Sequence, residues 1–196
     1  GISVLASSDV MVRNNTTTQL WSGVTVHSGI FTALNNTVTQ NLIYNNRAPA
    51  ALDLGGFGII TPNDLGDGDV GSNNLQNFPV VASAYYDGID VTVDGSLNTE
   101  ASKTYRIEFF YNAATGVSGY GEGQTYLGFM DVATDIFGNA SFSKNFSLAQ
   151  LPVGSYVTTT ATELVAGIQK STSEFSQATE VLSNTIAISN ASANET

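Results

Sequence analysis

The chain has no cysteine and one histidine, His27, among its 196 residues. These absences exclude a disulfide framework, a thiol nucleophile and a zinc site built on histidines. A Ser-His-Asp triad would have only His27 to draw on, and no Gly-x-Ser-x-Gly elbow surrounds any serine. His27 follows alternating Val24 and Val26, which suits a strand residue better than a base. Basic residues are scarce too: six Lys and Arg stand against 17 Asp and Glu, for a net charge of −11. That balance argues against nucleic acid, which needs a basic footprint, and against an anionic membrane surface. The longest apolar runs, such as that around Phe57 to Ile60, are far too short to insert in a bilayer. The chain begins at Gly1 without a basic or apolar leader, and reads as a matured product or a piece of a longer one.

What fills the chain is uncharged and polar. Asn, Thr, Ser and Gly occupy the positions that charges take in most soluble proteins, a composition common in secreted and cell-surface β-proteins. Sequons stand at Asn14, Asn15, Asn35, Asn139, Asn145, Asn190 and Asn194.

Residues 1–47 repeat weakly. Gly1-Ile2 opens a segment that ends in Asn14-Asn15, and Gly29-Ile30 opens another that ends in Asn45-Asn46. Short apolar pieces lie between, as at Val4-Leu5, Val10 to Val12, Val24, Val26, Val38 and Leu42-Ile43. Short strands closed by Asn predict rungs of a right-handed β-solenoid, because Asn tolerates left-handed corners and ladders its amide from rung to rung. About two rungs cannot close a core, so an upstream segment, the following domain or another copy must cover the open face. Residues 48–77 are dense in Gly, Asp and Asn and predict a long ordered loop. Residues 78–190 carry about seven strand signals, including Ile89 to Val93, Tyr105 to Phe109, Tyr126 to Met130 and Val181 to Ile188. They predict an immunoglobulin-like antiparallel β-sandwich. Thr162 to Lys170 allows one helical turn at most, and 191–196 is a polar tail. The fold class is all-β.

The segments Asn41 to Asn46, Leu52 to Gly55, Thr61 to Asp69 and Asn74 to Pro79 resemble the carboxy-terminal part of bacterial right-handed parallel β-helix repeat proteins. Tyr105 to Phe110, Gly119 to Gln124, Gly138 to Phe142 and Thr172 to Ser176 continue the similarity. The resemblance implies exported or cell-surface proteins, and a fold more than an activity.

Asp64, Asp67 and Asp69 lie within six residues, with Asn63, Asn73 and Asn74 alongside and Asp53 just upstream. Calcium takes six to eight hard oxygens, and Gly66, Gly68 and Gly71 let the backbone curl to supply them. The expected ligands are Asp53, Asn63, Asp64, Asp67, Asp69 and Asn73. Glu122 with Asp135 offers a weaker second site, or Glu122 bonds turn amides instead. Two carboxylates would serve a glycosidase, but two rungs offer little of the long face on which β-helix polysaccharide enzymes act. The chain is therefore read as a non-enzyme. Trp21, Tyr85, Tyr86, Tyr111, Tyr120 and Tyr126 are candidates for stacking on polysaccharide, as in a carbohydrate-binding module or an accessory domain of a polysaccharide-active enzyme. The leading expectation is an extracellular structural or adhesive module that self-assembles into a fibre or array and is stabilised by calcium. The terminal segments 1–12 and 179–190 are candidates for strand addition to a neighbouring copy.

Overall fold

The computed structural model describes residues 1–29 and 33–183, and it is all-β with several sheets. The amino-terminal block holds seven short strands: β1 (Ile2–Leu5), β2 (Met11–Arg13), β3 (Thr16–Thr18), β4 (Val24–His27), β5 (Thr37–Thr39), β6 (Leu42–Tyr44) and β7 (Leu52–Asp53). They pair in parallel as three stacks, β1-β4-β7, β2-β5 and β3-β6. Inward residues of all three stacks, among them Val4, Val12, Val24, Val38, Ile43 and Leu52, share one apolar core.

The corners between stacks recur every five residues. Asp9, Asn14 and Gln19 in the first layer, and Asn35, Gln40 and Asn45 in the second, all sit at φ between 54° and 59°. Asn and Asp accept this left-handed geometry most easily. The residue after each second-layer corner is Asn, and its amide hooks back onto the first layer. Asn36 Oδ1 accepts from Val10 N at 3.0 Å while its Nδ2 donates to Ser7 O. Asn41 bonds Asn15 N and Val12 O, and Asn46 bonds Leu20 N and Thr17 O, in the same manner. Each hook spares a part-buried corner amide from going unpaired.

This register differs from the repeat expected from sequence. Ile2 lies opposite Val24, and Asn15 opposes Asn41 rather than the Asn45-Asn46 pair. The corner spacing, not the Gly-Ile dipeptides, sets the alignment; Ile30 itself lies outside the described residues. The stretch 48–77, expected to be loop, contains β7 and a short 3-10 turn at Ser72–Leu75.

The second block holds β8 (Val80–Tyr86), β9 (Asp90–Asn98), β10 (Thr104–Asn112), β11 (Thr125–Ala133), β12 (Asn139–Ser147), β13 (Tyr156–Val165), β14 (Ile168–Thr172) and β15 (Thr179–Ser183). They form one eight-stranded sheet of order β11-β10-β13-β15-β8-β9-β12, with β14 beside β13. All pairs are antiparallel except β15 with β8. The sheet curls on itself, so that Val132 of β11 and Phe142 of β12 share a core with Val93, Ile107, Phe109 and Val157. Where one helical turn was allowed at Thr162 to Lys170, the chain makes the β13-β14 hairpin; Ala166 and Gly167 carry φ of 51° and 79°, a turn that reverses the strand. The segment 179–190, expected to be free for strand addition, is occupied where it is described. Its β15 lies between β13 and β8. Residues 184–190, the tail 191–196 and the sequons at Asn190 and Asn194 lie outside the described residues.

Candidate functional site

Two groups of acidic side chains stand out. The first joins the two blocks. Corner amides of the last layer of a parallel stack have no further layer to receive an Asn hook. Three glutamates of the second block take that place. Glu108 of β10 accepts from Thr39 Oγ1 at 2.5 Å and Gln40 N at 3.0 Å. Glu122 accepts from Asn45 N at 2.5 Å and Asn46 N at 2.8 Å. Glu174 accepts from Leu54 N at 2.9 Å and Thr61 N at 2.8 Å. The remaining edge is closed by backbone and hydroxyls: Gly123 exchanges two hydrogen bonds with Ile43, and Thr172 Oγ1 accepts from Val38 N. Asn73 covers the other corner, accepting from Asn36 N and donating to Asn36 O and Thr172 O.

Glu108 and Glu174 are almost wholly buried, at 0% and 1% exposure. Burial pushes the Glu108 carboxyl above its usual range. Burial, with a smaller push from the charge of Asp53, raises Glu174 to about 7. These carboxylates accept from firm donors at a cost in desolvation, which marks them as structural clasps.

The second group lies at the other end of the segment 48–77. Asp64, Asp67 and Asp69 bring one carboxylate oxygen each within 4.8 Å of the others. Their arrangement depends on residues the sequence did not single out. Asn77 accepts from Asp64 N at 3.1 Å, donates to Asp64 O at 2.7 Å, and gives its own N–H to Asp67 Oδ1 at 2.8 Å. Thr99 Oγ1 donates to Asp67 Oδ2 at 2.8 Å. Burial raises Asp67 to about 6, and the neighbouring Asp69 and Asp64 add to the shift. Asp69 is raised by the same two causes, burial first and then Asp64. Among the described residues, Asp64 Oδ1 and Asp69 Oδ1 are buried without a hydrogen-bond donor. Oxygens of this kind, converging and without donors, suit a hard cation.

The other three expected ligands are engaged elsewhere. Asp53 accepts from Gly55, Gly56 and Gly58 N–H at 2.7–2.9 Å, holding its own turn. Asn63 makes a reciprocal pair with the backbone of Phe78. Asn73 is the corner clasp described above. The spacing of polar residues in a Gly-rich loop carries no signal that separates these turn-holding roles from ligation. Glu122 and Asp135 also part company: Asp135 accepts from Phe137 N and Asn139 N in its own turn.

The aromatic candidates do not form one platform. Tyr120 packs on Phe78, Tyr126 on Phe110, and Tyr111 against the core of the second block. Trp21 is 67% exposed, beside Gly58. His27 stands on the outer side of β4, with Phe57 edge-on at 6.2 Å. No helix among the described residues is long and apolar enough to cross a membrane. No protein-family model and no curated protein matches the chain.

Proposed function

We propose that this chain is an extracellular structural or adhesive module. In this reading the parallel stacks are the end of a right-handed β-solenoid of the bacterial β-helix repeat kind, and the second block, one sheet curled over a single core, takes the terminating place expected of an immunoglobulin-like sandwich. The module holds no catalytic machinery and works by associating with further copies of itself at a cell surface or in the extracellular space. Calcium at Asp64, Asp67 and Asp69 stiffens the connection between the blocks.

The observation that carries this reading is the difference between the two ends of the stack. One end is closed by Glu108, Glu122 and Glu174 on backbone donors. At the other, among the described residues, β1, β2 and β3 pair on one side only. A strand edge open on one side is a template for a further layer, whether from preceding residues or from another copy, and association would supply it in the second way. Light scattering and native mass spectrometry of the purified chain test this, with calcium and with chelator. Association that rises with concentration is expected, and monomers under every condition would overturn the reading.

A further inference from the structure

The turn that follows β7 carries rings on a bed of bare backbone. Asp53, almost wholly buried, fixes this turn by accepting from the N–H groups of Gly55, Gly56 and Gly58. Ala50 N closes on Gly58 O at 3.1 Å. Gly56 and Gly58 have φ of 82° and 72°, and each lies under a ring. A Cβ on Gly56 would come within 2.4 Å of the His27 imidazole, and one on Gly58 within 3.3 Å of Trp21 Nε1. Between the two glycines Phe57 is 76% exposed and stands edge-on to His27. A buried carboxylate is thus spent on a turn whose one aromatic side chain stays outside both cores. Exposed rings on a fixed support mark a binding surface, because little ordering remains to be done when a ligand arrives.

The same corner holds a basic side chain that the fold does not use. Arg47 N donates to Leu20 O and Trp21 O at 2.9 and 3.1 Å, which sets Arg47 one layer below Trp21. The other five Lys and Arg are engaged: Arg13 with Gln40, Lys103 with Glu100 and Glu163, Arg106 with Asp131, Lys170 with Asp9, and Lys144 over the Phe146 ring. Arg47 is exposed and, alone of the six among the described residues, has no such partner. Glu122, on the same side, is spent on Asn45 N and Asn46 N. Trp21 leans toward Gly58 in the last layer, so the group does not draw on the edge of β1, β2 and β3.

We propose that Trp21, Phe57 and Arg47 bind an acidic polysaccharide in which carboxylated sugars are spaced by neutral ones. A sugar ring turns a face of C–H groups toward an indole, and its carboxylate offers a guanidinium two parallel hydrogen bonds. The spacing follows from charge. A chain of net charge −11 repels a polymer that is charged on every sugar. A single carboxylate meets Arg47 while acids farther than about 8 Å are largely screened at physiological salt. This binding gives the adhesive module a ligand and is independent of the association and the calcium proposed above.

Trp21 is the only tryptophan, so its fluorescence reports the site directly. Hyaluronan and glucuronoxylan, titrated in chelator at physiological salt, should shift it, and dextran should not. Carboxyl-reduced hyaluronan should bind at least about tenfold more weakly, as should Arg47→Gln. In affinity electrophoresis through hyaluronan, Trp21→Ala and Phe57→Ala should lose most of the retardation. All three side chains are exposed, and circular dichroism melts check that each variant is folded. Retardation unchanged in folded Trp21→Ala and Arg47→Gln would overturn the site. Equal binding of hyaluronan and its carboxyl-reduced form would overturn the acidic sugar, and tighter binding of heparin would overturn the spacing. No response to either acidic polysaccharide would overturn the proposal, and self-association lost in Trp21→Ala would then assign the rings to a contact between copies.

Discussion

Lowering the pH from about 8 to about 5.5 should stabilise this protein, and Glu174 is the reason. Its carboxyl is raised from an ordinary 4.5 to about 7 by burial first and by Asp53 second. Between those two values the folded chain binds more protons than the unfolded one. Stability from this group therefore grows as pH falls through 7 and is complete below about 4.5. The full shift corresponds to about 3 kcal/mol at about 1.4 kcal/mol per unit, of which roughly 2 kcal/mol develops by pH 5.5. At this chain length that raises the melting temperature by about 4–8 °C. Asp67, raised to about 6, adds in the same direction. Asp9 and Asp87, which hydrogen bonding holds below their usual value, act with opposite sign but only at lower pH. The general relief of repulsion in an acidic chain also favours mild acid, so a comparison is needed. Glu174→Gln keeps one acceptor for Leu54 N and leaves Thr61 N without its partner, a fixed loss of about 1 kcal/mol at any pH. Thermal melts of both proteins in chelator should show a steeper rise toward acid in the native chain than in the variant. Equal slopes, or a native chain that melts lower at pH 5.5 than at pH 8, would refute the reasoning.

Three further outcomes are expected. Asn41→Ala removes bonds to Asn15 N, Val12 O and Thr39 O inside the stack, and should cost about 2–4 kcal/mol by chemical denaturation. Asn15→Ala, one layer up at the bare edge, should cost less than half of that; equal losses would contradict the hook arrangement. Gly95→Ala should cost about 1–3 kcal/mol, because an added Cβ would lie 2.3 Å from Phe142 and 2.6 Å from the Val80 carbonyl; an unchanged denaturation midpoint would show that the strands can give way there. Excess chelator should lower the melting temperature of the native chain but not of Asp69→Asn. An unaltered native melt after metal analysis confirms removal would retire calcium.

Much of the second block was legible because its strands announce themselves locally. Asp90 to Val93 and Tyr105 to Phe109 alternate apolar and polar residues, and the structure buries Val91, Val93, Tyr105, Ile107 and Phe109. The burial of β13 on both faces is not legible in its own residues, yet Thr158, Thr159, Thr160 and Thr162 are all buried. Two of them are partnered from elsewhere in the chain, Thr162 by Thr172 and Thr158 by Asn112, and no local pattern shows it. The Asn corners were noticed, but the five-residue step that organises them was not. It is written in Asn36, Asn41 and Asn46 of the second layer and only in Asn15 of the first. Of the acidic loop, Asp64, Asp67 and Asp69 were legible as a cluster. Asn77 and Thr99, which hold it, were not: Asn77 is one Asn among several in the segment 48–77, and Thr99 acts from outside it. The glutamate clasps were invisible for the same reason, each lying 68 to 120 residues from the amides it serves.

The clasp and the hooks divide the labour of length and ending. Every hook joins positions 26 residues apart, from Val10 and Asn36 to Leu20 and Asn46. Glu108, Glu122 and Glu174 touch only the last layer. A duplication or loss of one 26-residue unit above that layer would therefore lengthen or shorten the stack and present the same amides to the same carboxylates. Such a chain can vary its reach in whole steps while its clasped end stays unchanged, which makes the stack a ruler that is adjustable at one end and fixed at the other.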